Sequence, residues 1–308
     1  MRGRDLLSIA DLSPDEVQTI LQTALSLKRD GGGSDLLAGK TLAMVFEKPS
    51  LRTRVSFDVG MQELGGHAIY LNQAEVGLGQ REPVADVARV LSRYVDIIAA
   101  RTYSHGTLLD LARHADIPVI NALSDEEHPC QALADLLTVL EKCGQLRGVR
   151  MAYVGDGFNV AASLAEAAAL CGVSFAMASP SGYSLPDATL RLVRHIAEKN
   201  GGRTEVFESP ADAVRDADVV YTDVWASMGQ EDSYAERKEA FSGYTVTADM
   251  MGLAKPSAIF MHDLPAHRGE EVTDAVIEGP QSVVFDQAEN RLHAQKAILA
   301  LVASDHPL

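Results

Sequence analysis

Cysteine and tryptophan are scarce in this chain: Trp225 stands alone, and Cys130, Cys143 and Cys171 are the three cysteines among 308 residues. An odd number with no close pair argues against a disulfide framework and against a Cys-based zinc site. Long apolar runs are missing too, and none reaches the length a bilayer span needs. The basic opening Met1-Arg2-Gly3-Arg4 runs on to Ser13-Pro14-Asp15-Glu16 with no signal-peptide core between them, so a cytoplasmic location is expected. Positive charge is the third shortage, with 27 Lys and Arg against 43 Asp and Glu and a net charge of −16. Such a chain repels nucleic acid and acidic membranes, so a cluster of its few cations answers to a small anion. What remains is 46% hydrophobic and 23% charged, the balance of a globular protein rather than a disordered one. The length exceeds one ordinary core and fits two domains.

The stretch from Phe46 to Phe57 holds that cationic cluster. Thr41-Leu42-Ala43-Met44-Val45-Phe46 is a short apolar run with a sharp polar break behind it, which predicts a buried strand. From Arg54 onward Val55, Val59, Met61 and Leu64 recur at roughly helical spacing. Ser50 therefore falls at the N-cap, and the amides of Leu51, Arg52 and Thr53 open the helix. Those amides, the positive end of the dipole, and the side chains of Ser50, Arg52, Thr53 and Arg54 together predict a phosphate site.

Along the rest of the chain, strand and helix patterns alternate. Strands are predicted at 68–71, 96–100, 119–122, 150–154, 174–178, 206–207, 219–222, 259–262 and 283–285. Helices are predicted at 14–28, 84–91, 108–115, 131–143, 160–171, 187–199 and 287–303. Alternation of this kind predicts an α/β protein of two doubly wound parallel-sheet domains, with the active site in the cleft between them. The boundary is placed at 143/144, giving domains 1–143 and 144–286, with the last helix packing back on the first domain.

Ligands of such sheets sit at the carboxyl ends of strands, and each predicted strand end here runs into a polar segment. The segments are Ser50-Leu51-Arg52-Thr53-Arg54, Arg101-Thr102-Tyr103, His128-Pro129-Cys130-Gln131, Gly155-Asp156-Gly157-Phe158-Asn159, Asp223-Val224-Trp225-Ala226-Ser227-Met228-Gly229 and His262-Asp263-Leu264-Pro265. Gly155 to Val160 is not a dinucleotide fingerprint, because Val160 stands where the third glycine is needed. His262 and His267 lack the helical spacing of a metal pair, and no metal is expected. Cys130 is expected to be a buried filler, Trp225 to pack the loop that follows it, and Glu126 and Glu127 to be solvated loop charges.

Together with Asn290-Arg291-Leu292-His293, these stretches resemble the aspartate/ornithine carbamoyltransferase family along nearly the whole chain, and the 225–229 loop is similar to that of the ornithine-using members. The resemblance implies carbamoyl phosphate binding by Ser50, Leu51 through its backbone, Arg52, Thr53, Arg101, His128, Gln131 and Arg291. It implies ornithine binding by Asn159, Asp223, Ser227, Met228, Asp263 and Leu264, no metal or organic cofactor, and a homotrimer. Transfer to the δ-amine of L-ornithine would give L-citrulline and phosphate; putrescine or N-acylornithine as acceptor, and a non-catalytic binding homologue, are the alternatives.

These residue types suit the chemistry. Arginines and helix amides hold a phosphate dianion. Arg101, Thr53 and His128 resemble an oxyanion hole for the carbonyl oxygen, and Gln131 can accept from the carbamoyl NH2. One departure stands out: the family usually reads His-Cys-Leu-Pro where this chain has His262-Asp263-Leu264-Pro265. Either Asp263 meets the δ-amine as a proton acceptor, or it turns away and only backbone carbonyls meet it. Leu51, where many members have threonine, is a milder departure.

Overall fold

A computed structural model of the chain describes residues 1–31, 34–226 and 230–305. The chain divides into two compact units, one formed by Met1–Leu137 with the residues from Glu289 onward, the other by Thr138–Ala288. Both divisions fall inside helices, Pro129–Cys143 and Val284–Ala303. Among the described residues no helix is long and apolar enough to cross a membrane.

In the first unit, β1 (Thr41–Phe46), β2 (His67–Asn72), β3 (Ile97–Arg101) and β4 (Val119–Leu123) form a parallel sheet in the order β2-β1-β3-β4. Alternate residues leave opposite faces of a strand. Ala43, Val45, Ile98 and Ala100 enter a core shared with Val87, Ala88, Leu108 and Leu111 of the helices Val84–Leu91 and His105–His114. Leu42, Met44, Ile97 and Ala99 on the other face are buried as well, as a parallel sheet requires. β1 and β3 are neighbours, Phe46 beside Arg101, yet their next partners lie on opposite sides. The strand order thus reverses between them, where the Ser50 turn and Arg101 emerge.

The second unit repeats the plan with β5 (Arg150–Val154), β6 (Ser174–Ala178), β7 (Thr204–Phe207), β8 (Val219–Thr222) and β9 (Ile259–His262), ordered β7-β6-β5-β8-β9 and all parallel. Met151, Tyr153, Phe175 and Met177 pack on the helices Asn159–Leu170 and Asp187–Asn200. Ala152, Val154, Ala176 and Ala178 pack on the opposite face with Val214, Val246 and Phe260. Every residue of Asn159–Leu170 is buried, and its many alanines permit that close approach. The reversal here falls between β5 and β8.

The predicted strand at 283–285 is not one. Val284 begins the helix Val284–Ala303, and the extended contact is limited to Gln281 and Val283 exchanging backbone hydrogen bonds with Phe260. Val283 and Val284 are buried while Phe285 is 65% exposed, so three successive apolar residues carried no period that could separate a strand from a helix start.

Candidate active site

At the carboxyl end of β1 the helix Leu51–Glu63 begins as its capping residue dictates: Ser50 is extended, and its Oγ accepts the Thr53 amide at 3.3 Å. Leu51 is 75% exposed, so its side chain lies at the surface. Arg54, expected beside Ser50, lies with its guanidinium 4.0 Å from the ring centroid of Tyr70, leaving Arg52 as the arginine of the turn.

The anchor of the cluster comes from the far end of the chain. Arg291 is buried, and its fork donates from Nη1 to Gln131 Oε1 at 2.5 Å and from Nη2 to Thr53 Oγ1 at 3.1 Å. Gln131 in turn donates from Nε2 to Asp135 Oδ1 at 2.8 Å, so both ends of its amide are assigned. With its amide nitrogen turned to Ser56, the fully buried Gln295 accepts from Arg291 Nη2 at 3.2 Å, one helical turn along the same helix. Arg101 is buried at the end of β3, and His128 is buried just before the helix Pro129–Cys143. Burial, with the positive charges of Arg291 and Arg101, holds the His128 imidazole well below its ordinary pKa, so it is neutral at pH 7. Ser50, Arg52, Thr53, Arg101, His128, Gln131 and Arg291 thus all belong to one unit, Arg101 at a strand end and Arg291 within the last helix.

In the second unit, Gly157 lets the loop after β5 approach Ser184 and Leu185, since a Cβ would sit 2.3 Å from the Leu185 nitrogen. Asn159 is buried at the start of its helix, with Oδ1 accepting the Val160 amide at 2.8 Å. Asp223 follows β8, is buried, and accepts the Val224 amide at 2.6 Å. Burial, then the charge and hydrogen bonding of Asp263, raise its pKa well above the carboxylate range. Asp263 and Leu264 follow β9. Leu264 takes a left-handed conformation, φ 58°, uncommon for a bulky residue, and its amide donates to His262 Nδ1 at 2.9 Å. That bond directs the ring proton of neutral His262 to Nε2, which lies 3.1 Å from Glu271 Oε1. Burial opposes charge on His262, but Asp263 and Glu271 together outweigh it and raise the imidazole pKa. Ser227 and Met228 lie outside the described residues.

Several functional supports were invisible in the sequence. Arg237, from the helix Tyr234–Ala240, donates to Asp156 Oδ2 at 2.6 Å and to the Trp225 carbonyl at 2.9 Å, tying the loops after β5 and β8 together. Arg237→Met strands the buried Asp156 and is expected to destabilise the second unit by about 3–5 kcal/mol. Urea unfolding measures it, and Asp156→Asn in the same background should return much of the loss. Lys48, also unforeseen, is buried with Nζ 4.7 Å from the Tyr103 ring centroid. Glu127 corrects an expectation: it is buried, and its Oε2 accepts the Ile9 amide at 2.9 Å instead of facing water. Cys130 is fully buried with its thiol pushed up to about 12, a packing group and not a nucleophile. Trp225 stacks on Phe241 at 5.7 Å.

Among the described residues, two sets of donors come close enough for a metal ion, Asp223-His262-Asp263 and His267-Glu270-Glu271. The Nδ1 lone pair of His262 is already engaged by Leu264, while Glu270 pairs with Lys238 at 2.8 Å and Glu271 accepts from His262 and the His267 amide. These contacts already occupy His262 Nδ1 and Glu271 Oε1.

Comparison with known proteins decides the family. The carbamoyl-P binding domain of aspartate/ornithine carbamoyltransferase matches residues 4–141, and the Asp/Orn binding domain matches residues 147–302. The chain belongs to the aspartate/ornithine carbamoyltransferase family. Among its relatives in that family, the ornithine carbamoyltransferase of Pyrococcus abyssi is 55% identical over 98% of this chain and 96% of its own length. One from Pyrococcus furiosus, described as anabolic, is 55% identical over 98% of this chain and 97% of its own. A solved ornithine carbamoyltransferase structure from Pyrococcus furiosus superposes with TM-score 0.96 at 54% identity, covering 99% of each chain. One from Thermus thermophilus gives 0.89 at 46% identity, covering 97% of this chain and 99% of the other. The family carries the two-part plan of binding domains, and here each part coincides with one parallel sheet.

Proposed function

We propose that the chain transfers the carbamoyl group of carbamoyl phosphate to the δ-amine of L-ornithine, giving L-citrulline and phosphate in arginine metabolism. The observation that carries this is the Arg291 fork, fixed on Thr53 and Gln131 beside a serine-capped helix start, in a chain more than half identical to ornithine carbamoyltransferases.

Carbamoyl phosphate is bound by Ser50, the Leu51 amide, Arg52, Thr53, Arg101, His128, Gln131 and Arg291. The phosphate dianion takes the guanidinium groups of Arg52 and Arg291 together with the first amides of the helix Leu51–Glu63. Arg101, the Thr53 hydroxyl and neutral His128 donate to the carbonyl oxygen as it gains charge. A neutral imidazole suits this, since it donates a hydrogen bond without parting with a proton. Because Gln131 Oε1 is turned to Arg291 and Nε2 to Asp135, its second Oε1 lone pair is the one offered to the carbamoyl NH2.

L-Ornithine is bound by Asn159, Asp223, Ser227, Met228, Asp263 and Leu264, with Asp223 on the α-ammonium and Asp263 at the δ-amine. The δ-amine attacks once it is neutral and phosphate departs, so no covalent intermediate with the protein is needed. The working protein is a homotrimer, and its free thiols at Cys130, Cys143 and Cys171 accord with the cytoplasm.

A steady-state assay of carbamoyl phosphate with L-ornithine, putrescine, N-acetylornithine or L-aspartate tests this directly. Clear preference for L-ornithine is expected. Preference for another amine would reassign the acidic residues of the second unit, and activity with none would leave a binding protein.

A further inference from the structure

The carboxyl ends of β8 and β9 gather carboxylates in surroundings that solvate charge poorly. Asp223 is 6% exposed and the Asp263 side chain 15%. One oxygen of each, with a nitrogen of His262, all lie within 4.8 Å of one another. Behind them His262 and Glu271 are fully buried, and His267 and Glu270 adjoin Glu271. His262 is the neighbour best placed to relieve the crowding, at 3.4 Å from Asp263 Oδ1, but its Nδ1 accepts the Leu264 amide and its proton faces Glu271. Two carboxylates this close in a buried site disfavour being ionised together, and one proton between them relieves the repulsion.

We propose that Asp223 and Asp263 share one proton while the second unit is without ligand, and release it to solvent as L-ornithine brings its two ammonium groups to the pair. This rests on the ornithine reading given above and adds what carries the charge before ornithine arrives. The acceptor subsite is then a cation-for-proton exchanger, selective for a doubly cationic amino acid. Binding breaks the O–H···O bond between the carboxyl groups and leaves two carboxylates facing two ammonium groups. In the transfer step the δ-ammonium returns one proton to the pair and attacks as the neutral amine. The new C–N bond forms, the C–O bond to phosphate breaks, and the second amine proton leaves on the phosphate. The raised pKa of Asp223, caused by burial and by the charges of Asp263 and Glu271, accords with the shared state.

Infrared spectra of the unliganded full-length chain at pH 7 test the sharing. A protonated-carboxyl C=O band that shifts in D2O is expected in the parent and is expected to vanish in both Asp223→Asn and Asp263→Asn. No such band in the parent, or a band that survives in both variants, overturns the proposal. Titration calorimetry of the parent with L-ornithine and inorganic phosphate, in buffers of different ionisation enthalpy, tests the exchange. Close to one proton released per ornithine is expected at pH 7, and no release beside a positive infrared result overturns the exchange. If the band is present and L-ornithine does not bind, the shared proton stands and the ornithine reading falls.

Discussion

Arg291→Ala is expected to lower kcat/KM for carbamoyl phosphate roughly a thousandfold. The fork is buried and hydrogen-bonded, and truncating one side of such a charge pair costs about 2–5 kcal/mol, with 1.4 kcal/mol per tenfold. The upper part of that range applies because the change removes more than a charge. Thr53 and Gln131 lose the group that sets their direction, and Gln295 loses its partner one turn away. Arg291→Lys restores the charge without the planar fork and should recover about a tenfold. Steady-state kinetics, with phosphate binding measured by calorimetry, checks both. A defect confined to the KM for ornithine would contradict the role given to this residue.

Asp223→Asn should act on the other substrate. Loss of the carboxylate that meets the α-ammonium costs about 2–5 kcal/mol, or about 30-fold to several thousandfold in kcat/KM for L-ornithine. Phosphate binding should be unchanged, because every residue assigned to it belongs to the other unit. The two variants together form a test of independence: phosphate affinity should fall only in Arg291→Ala. Loss of phosphate binding in Asp223→Asn would show that the assignment of ligands to units is mistaken.

Much of this was legible in the sequence because the strands are short, apolar and punctuated. Thr41–Phe46, Arg150–Val154, Ser174–Ala178, Val219–Thr222 and Ile259–His262 coincide with their predicted bounds, since each apolar run ends at a polar residue or a glycine. The Ser50 cap was readable for the same local reason, an N-cap serine before a helical period. What failed depended on distance along the chain. Arg237 reaches Asp156 from 81 residues away, and no local pattern marks either as a partner. Glu127 looked like an ordinary loop charge until the Ile9 amide, 118 residues earlier, proved to need an acceptor. Asp135 lies among the leucines of the helix Pro129–Cys143, and only the structure shows that it fixes the Gln131 amide. Val284 misled through packing, because a valine buried at a helix start and one buried in a strand leave the same mark on a short window.

The final helix sets an order of events during synthesis. Arg291, Gln295 and Lys296 belong to the unit whose other residues end at Leu137, and Lys296 donates to Glu63 at 2.6 Å. Roughly 150 residues of the second unit must be translated between these two portions, which takes about 8–30 s at ordinary elongation rates. Through that interval a nascent chain lacks Arg291, one of the two arginines proposed above to hold the phosphate. A chain stopped within the second unit is therefore expected to bind phosphate more weakly than the full-length chain.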